Sequence, residues 1–157
     1  MRIVMVALLS LILVSCGNKT TETETTSTAD LQKTYKWKLV TTWPKNYPGL
    51  GSAPENFAKK VEAMSGGRIS IKVFGAGQLV PAFEVFDAVS QGTAQMGHGA
   101  AYYWTGKSKA AGFFTSVPFG LNAQEMNGWL HYGGGLELWR ELYAPFNLVP
   151  FAGGSTG

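Results

Sequence analysis

The sequence predicts an α/β fold in which parallel strands are joined by helical crossovers, and three observations carry that expectation. Between residues 35 and 100, segments of period-two apolar alternation take turns with segments whose apolar residues recur at helical spacing, in the order strand, helix, strand, helix, strand. Each change of period falls on glycine or proline, which stop regular pairing. Apolar residues make up 45% of the 157, enough for one buried core, and the single cysteine rules out a disulfide frame, so the fold must stand on packing.

The N-terminal "MRIVMVALLSLILVSC" carries one charge, Arg2, then an apolar run from Ile3 to Val14. That run is too short to cross roughly 30 Å of hydrocarbon unaided and reads as a secretory signal, residues 1–15. Its end, Leu13-Val14-Ser15-Cys16, resembles the bacterial lipobox, which makes Cys16 the expected lipidation site and mature N-terminus, anchoring the protein to a membrane. An ordinary buried thiol at the end of a membrane anchor is the weaker reading. Residues 16–34, rich in threonine and acidic residues, have no apolar period and read as a disordered tether, since they cannot bury enough surface to offset their ordering entropy.

The folded part is expected to begin at Tyr35. In "YKWKLVTTW" Trp37, Leu39 and Thr41 alternate with Lys36, Lys38 and Val40, a first strand, ended by the proline- and glycine-rich "WPKNYPGLG". Ser52 and Glu55 have capping-box spacing, and Phe57, Val61 and Met64 mark the inward face of a helix that Gly66-Gly67 ends. "RISIKVF" puts Ile69, Ile71 and Val73 on one side of a second strand. Pro81 then opens a second helix with Ala82, Val85, Phe86 and Val89 inward, and "AQMGHGA" is a short third strand. Farther on, the glycines of "HYGGGLELW" read as a tight turn before a helix that packs through Leu138, Trp139 and Leu142. They lack the lysine and Ser/Thr of a phosphate loop.

Ligands of open parallel sheets collect outside the carboxyl ends of the strands. Two segments fall there, "TTWPKN" and "GHGAAYYW", and the second sets Tyr102, Tyr103 and Trp104 side by side. Charge gives no competing signal. The net +3 falls to +2 if residues 1–15 are removed, and no basic cluster with interleaved aromatics suggests nucleic acid. His98 and His131 lack metal-ligand spacing, so no metal site is read from them, and each is expected to be a hydrogen-bonded structural histidine.

"KWKLVTTWPKNYPGLG", "MSGGRISIKVFGAGQLVPAFEVFDAVSQGTAQMGHGAAYYWTGK" and "PFGLNAQEMNGWLHYGGGLELW" resemble the N-terminal part of the DctP-like solute-binding proteins of tripartite ATP-independent periplasmic (TRAP) transporters. The nearest branch is the one associated with mannitol, chloroaromatic compounds and α-keto acids. The resemblance implies a periplasmic-binding-protein-like, two-lobed fold with a parallel or mixed sheet, of which residues 35–157 supply most of the first lobe. It implies capture of a small organic acid, such as an α-keto acid, lactate or another monocarboxylate, for ion-gradient-driven uptake by a membrane permease. A sodium or calcium ion bridging the ligand, and a homodimer, belong to the full-length family fold, as do a ligand-pairing arginine and cation ligands placed beyond Gly157. No cofactor is expected in this chain itself. The chain is expected to be a truncated gene or a fragment that binds weakly alone.

A small acid needs a donor-rich spot for its carboxylate and flat apolar walls that exclude water. Tyr103, Tyr102 and Trp43 are the candidate walls, and a tyrosine hydroxyl also donates. Two alternatives remain. One is an envelope lipoprotein enzyme, a hydrolase or lyase, using His98 with Tyr102 or Tyr103 as acid and base. It lacks a serine or cysteine nucleophile set in a recognisable turn, and the only cysteine is assigned to the lipid. The other is a lipoprotein that binds a protein through its aromatics. Against it, the rings fall at strand ends instead of forming a surface stripe.

Overall fold

A computed structural model describes residues 33–155. The expected signal, nearly all of the expected tether and Cys16 lie outside the described residues. The order of elements matches the alternation read from the sequence. Strand β1 (Tyr35–Thr41) is followed by helix α1 (Ser52–Met64), strand β2 (Ile69–Phe74), helix α2 (Val85–Ser90) and strand β3 (Met96–His98). Helices α3 (Ala123–Tyr132) and α4 (Gly135–Tyr143) come after two 3-10 turns, Ala101–Trp104 and Lys109–Phe114.

The sheet is parallel and ordered β2-β1-β3, with Leu39 opposite Val73 on one side and Met96 on the other. Its central strand explains why alternation holds only in its first half. Lys36 and Lys38 are exposed, but Leu39, Val40 and Thr41 are all buried, because each face of the sheet is covered there. On one face Leu39, Ile71 and Val73 meet Ala58 of α1. On the other Val40 joins Val85, Phe86, Ala88, Trp104 and Tyr143. Helix α2 lies close over β3 because Gly97 has no side chain; a Cβ there would stand 2.8 Å from Val85 Cγ1.

Helix α1 forms where the sequence places it but turns a different face inward. Pro54 and Ala58 are buried and Val61 packs beside them, while Phe57 is 44% exposed and Met64 88%. These three lie at i, i+4 and i+7, and the small Ala58 lets the helix settle directly on the branched residues of β1 and β2. The capping box at Ser52 does not form. The loop before the helix already satisfies its first donors, with Ser52 N–H donating to Tyr47 O at 3.1 Å and Ala53 N–H to Gly49 O at 2.9 Å, and Pro54 has no N–H to satisfy. Glu55 pairs with Lys45 instead, at 3.7 Å. The helix ends as expected, at left-handed Gly66 and Gly67. The turn after Pro81 is first a 3-10 turn, Ala82–Glu84, before α2 proper begins.

A capping box forms instead at α3. Asn122 Oδ1 accepts from the N–H groups of Gln124 and Glu125, both at 3.0 Å, and the Glu125 carboxylate accepts from Asn122 N–H at 2.9 Å. The turn into α4 uses left-handed Gly134, as the triple glycine suggests. Gly135 then lets the two helices touch, since a Cβ there would fall 2.7 Å from the Trp129 ring. In α4, Trp139 and Leu142 pack inward as expected, but Leu138 is 53% exposed and Tyr143 takes the buried place. Phe114 is stacked between Trp129 and Trp139, with ring centres 5.6 and 5.4 Å away.

Candidate functional site

The carboxyl ends of β1 and β3 lie side by side. Thr41 is opposite His98 in the register, and the Thr42 N–H donates to His98 O at 3.0 Å. The chain can leave β3 here only because residue 99 is glycine, where a Cβ would be 2.5 Å from the Trp104 ring and 2.9 Å from Thr42 Cγ2. It then enters the 3-10 turn Ala101–Trp104, and this turn accounts for the three adjacent rings. With three residues per turn, Ala101 and Trp104 share one face, and both are buried. Tyr102 and Tyr103 point elsewhere. Trp104 is therefore a core residue, 5.5 Å from the Phe86 ring, with its indole N–H donating to Phe83 O at 3.3 Å.

The three residues expected at the site come together in one aromatic group. Tyr103 is its centre, with ring distances of 4.5 Å to Tyr102, 6.3 Å to Trp43 and 5.3 Å, edge-on, to Phe83. Trp43 and Tyr103 are half-buried, and Tyr102 is exposed. Hydrogen bonding with the Tyr102 side chain raises the Tyr103 hydroxyl above its usual range, and burial adds to the shift. At neutral pH that hydroxyl keeps its proton and remains a donor.

The sequence reading missed Phe83 and assigned His98 a different environment. Phe83 lies within the first turn after Pro81, beside the face chosen as inward, and its size was the one available signal. The His98 ring lies 4.9 Å from that of Trp43, and its Nδ1 is buried with no hydrogen-bond partner, so it is not the bonded histidine expected. Burial lowers its pKa and holds the imidazole neutral. Thr42 Oγ1 is a second buried polar atom without a partner at the same edge. His131 is exposed in the last turn of α3 instead of being buried and bonded.

This edge can wall a flat, small molecule and offer it a phenolic donor. Among the described residues no hydrogen bond joins His98 to Tyr102 or Tyr103. Nor do the described residues include a group of three His, Cys, Asp or Glu that could hold a metal ion. A cavity of about 750 Å³ lies elsewhere among the described residues, between α3, α4 and the preceding 3-10 turn, lined by residues such as Phe113, Val117, Leu121, Trp129 and Leu138. Glu141 is its one ionisable lining residue, so the groove presents no cationic side chain to a carboxylate.

Residues 39–152 match the family model DctP, bacterial extracellular solute-binding protein family 7. The chain is 47% identical over 145 residues to the monocarboxylate 2-oxoacid-binding periplasmic protein of Nostoc sp. strain PCC 7120, covering 92% of this chain and 38% of the relative. The fold is similar to that of a TRAP periplasmic solute-binding protein from Pseudoalteromonas atlantica with bound sodium and pyruvate, at a TM-score of 0.76 and 46% identity over 78% of this chain and 37% of that one. A counterpart from Colwellia psychrerythraea with bound calcium and pyruvate gives the same TM-score, at 45% identity and the same coverage. The chain thus spans well under half the length of these relatives.

Proposed function

This chain belongs to bacterial extracellular solute-binding protein family 7, and from that membership we propose that it forms the aromatic half of a receptor for small 2-oxo or 2-hydroxy monocarboxylates. The observation that carries the reading is the grouping of Trp43, Tyr102 and Tyr103 at the carboxyl edge of a parallel sheet, where a neutral phenol stands among flat walls. The Tyr103 hydroxyl would donate to a carboxylate or oxo oxygen, and the Trp43 and Tyr103 rings would exclude water from that bond. The protein would bind and release its acid unchanged, acting as a receptor and not as an enzyme.

The relative's name and the pyruvate in both structures support the choice of ligand class. They also support placing the protein in the periplasm, handing its acid to the membrane subunits of a TRAP transporter. In this reading residues 1–15 direct export, a lipid on Cys16 and the tether of residues 16–34 hold the protein at a membrane, and residues 35–157 form the binding lobe. The sodium or calcium in the similar structures belongs to those longer proteins, and no step of binding is assigned to a cation here.

The reading is tested by titrating the ¹⁵N-labelled chain with pyruvate, lactate and a neutral sugar while following amide and indole resonances. The acids are expected to move the Trp43 indole and the amides of residues 98–103, and the sugar is expected to leave them in place. Acid-induced changes confined to other residues, or none in millimolar excess, would overturn it.

A further inference from the structure

Trp43 is held by its backbone as firmly as by its ring. The Thr41 hydroxyl donates to the Trp43 carbonyl at 2.6 Å, and the Ala76 N–H donates to the same oxygen at 3.0 Å. Thr41 is 3% exposed, so its hydroxyl has no water to exchange with and is committed to that carbonyl. The second donor is fixed by tight packing between loops. Gly75 approaches the loop after β1 so closely that a Cβ there would be 2.8 Å from Lys45 N, and the Gly75 N–H donates to Gln78 Oε1 at 2.9 Å. On its far side the Trp43 ring rests 4.9 Å from that of His98. The indole thus stands on an anchored peptide and leans on a half-buried ring.

We propose that Thr41 is a positioning residue that fixes Trp43 as an immobile wall and so limits the size of the acid admitted beside Tyr103. The proposal rests on the receptor reading given above. A rigid wall resists each added methylene, whereas a wall that can swing aside accommodates it. Removing the hydroxyl should therefore weaken the smallest acid and relax the discrimination against longer ones, a pattern that a general loss of stability would not produce.

The test uses the full chain labelled at tryptophan, with the Trp43 indole resonance assigned by Trp43→Phe. Thr41→Val keeps the branched shape and loses the hydroxyl; Thr41→Ser keeps the hydroxyl. The valine variant is expected to shift or broaden the Trp43 indole while Trp37, Trp104, Trp129 and Trp139 stay in place, and the serine variant to restore it. Pyruvate should bind more weakly to the valine variant, by no more than the roughly fivefold that one hydrogen bond is worth, and its preference over 2-oxohexanoate should shrink. If the valine variant unfolds, Thr41→Ala and Thr41→Ser differ only in the hydroxyl and answer the same question. An unchanged Trp43 resonance and an unchanged ratio of the two affinities would overturn the proposal. If no acid shifts any resonance of the parent chain, the receptor reading falls, and the ligand-free Trp43 resonance still decides whether Thr41 positions the ring.

Discussion

Tyr103 and His98 sit at the same strand edge and call for opposite experiments. Tyr103 presents a protonated hydroxyl among rings, so Tyr103→Ala removes both a hydrogen bond to a charged ligand and a wall. In a chain extended to the length of its relatives, the expected loss is about 2–4 kcal/mol in pyruvate affinity, roughly thirty- to a thousandfold, and Tyr103→Phe should lose about 1–2 kcal/mol, both read by titration. His98 touches the question of stability instead. Burial lowers its pKa in the folded chain below the value of about 6.5 it takes when unfolded. Between those two values the unfolded chain binds more protons, so stability declines as pH falls below about 6.5 and levels off under the folded pKa. Urea unfolding at pH 7.5 and at steps down to 5 should show that decline, and His98→Gln should flatten it; an equal slope in both proteins would assign the titration elsewhere. At this scale the sequence was a partial guide. It located Trp43, Tyr102 and Tyr103 at strand ends, because strand ends are visible in periodicity. It left Trp104 out of the walls without a structural reason, since its burial depends on a 3-10 turn which no period announces.

Helix boundaries were more legible than helix faces. The five elements from β1 to β3 occur in the predicted order, since the switch between periods of two and about 3.6 is a property of local sequence. The inward face of α1 was not legible, because Phe57 and Ala58 are neighbours on the helix and only the shape of the sheet decides that the small residue goes in. The caps make the same point. Ser52-x-x-Glu55 and Asn122-x-x-Glu125 have equivalent spacing, yet only the second forms, because the Ser52 N–H already donates to Tyr47 O and its hydroxyl turns back to Gly49 O. The two sites should therefore respond unequally. Asn122→Ala is expected to cost about 1 kcal/mol in urea unfolding, the usual worth of a formed N-cap, while Ser52→Ala should change stability by less than about 0.5 kcal/mol. Equal effects would mean that α3 is held by packing alone.

At the scale of the molecule the dominant feature is apolar surface left open. Phe113 is 59% exposed, Leu138 53% and Leu121 48%, and all three line the groove of about 750 Å³ between α3, α4 and the turn before them. Exposed patches of that kind bind apolar probes and promote association, and every ring left in water is burial that does not contribute to stability. The site edge is different in kind: its rings are interleaved with hydroxyls, and Trp43 and Tyr103 are half-buried. The chain should consequently bind an apolar dye such as ANS, associate as its concentration rises, and melt at the low end of the range for small domains. Replacing Phe113 and Leu138 with lysine removes apolar area from the groove without touching Trp43, Tyr102 or Tyr103. The double variant is expected to roughly halve the dye fluorescence and suppress association seen by light scattering. Its Trp43 indole resonance, and any shift that pyruvate induces there, should match the parent. A parent chain that ignores the dye and melts cooperatively at high temperature would show that this face is closed in solution. A double variant whose Trp43 resonance moved would show that the groove and the strand edge are mechanically one site.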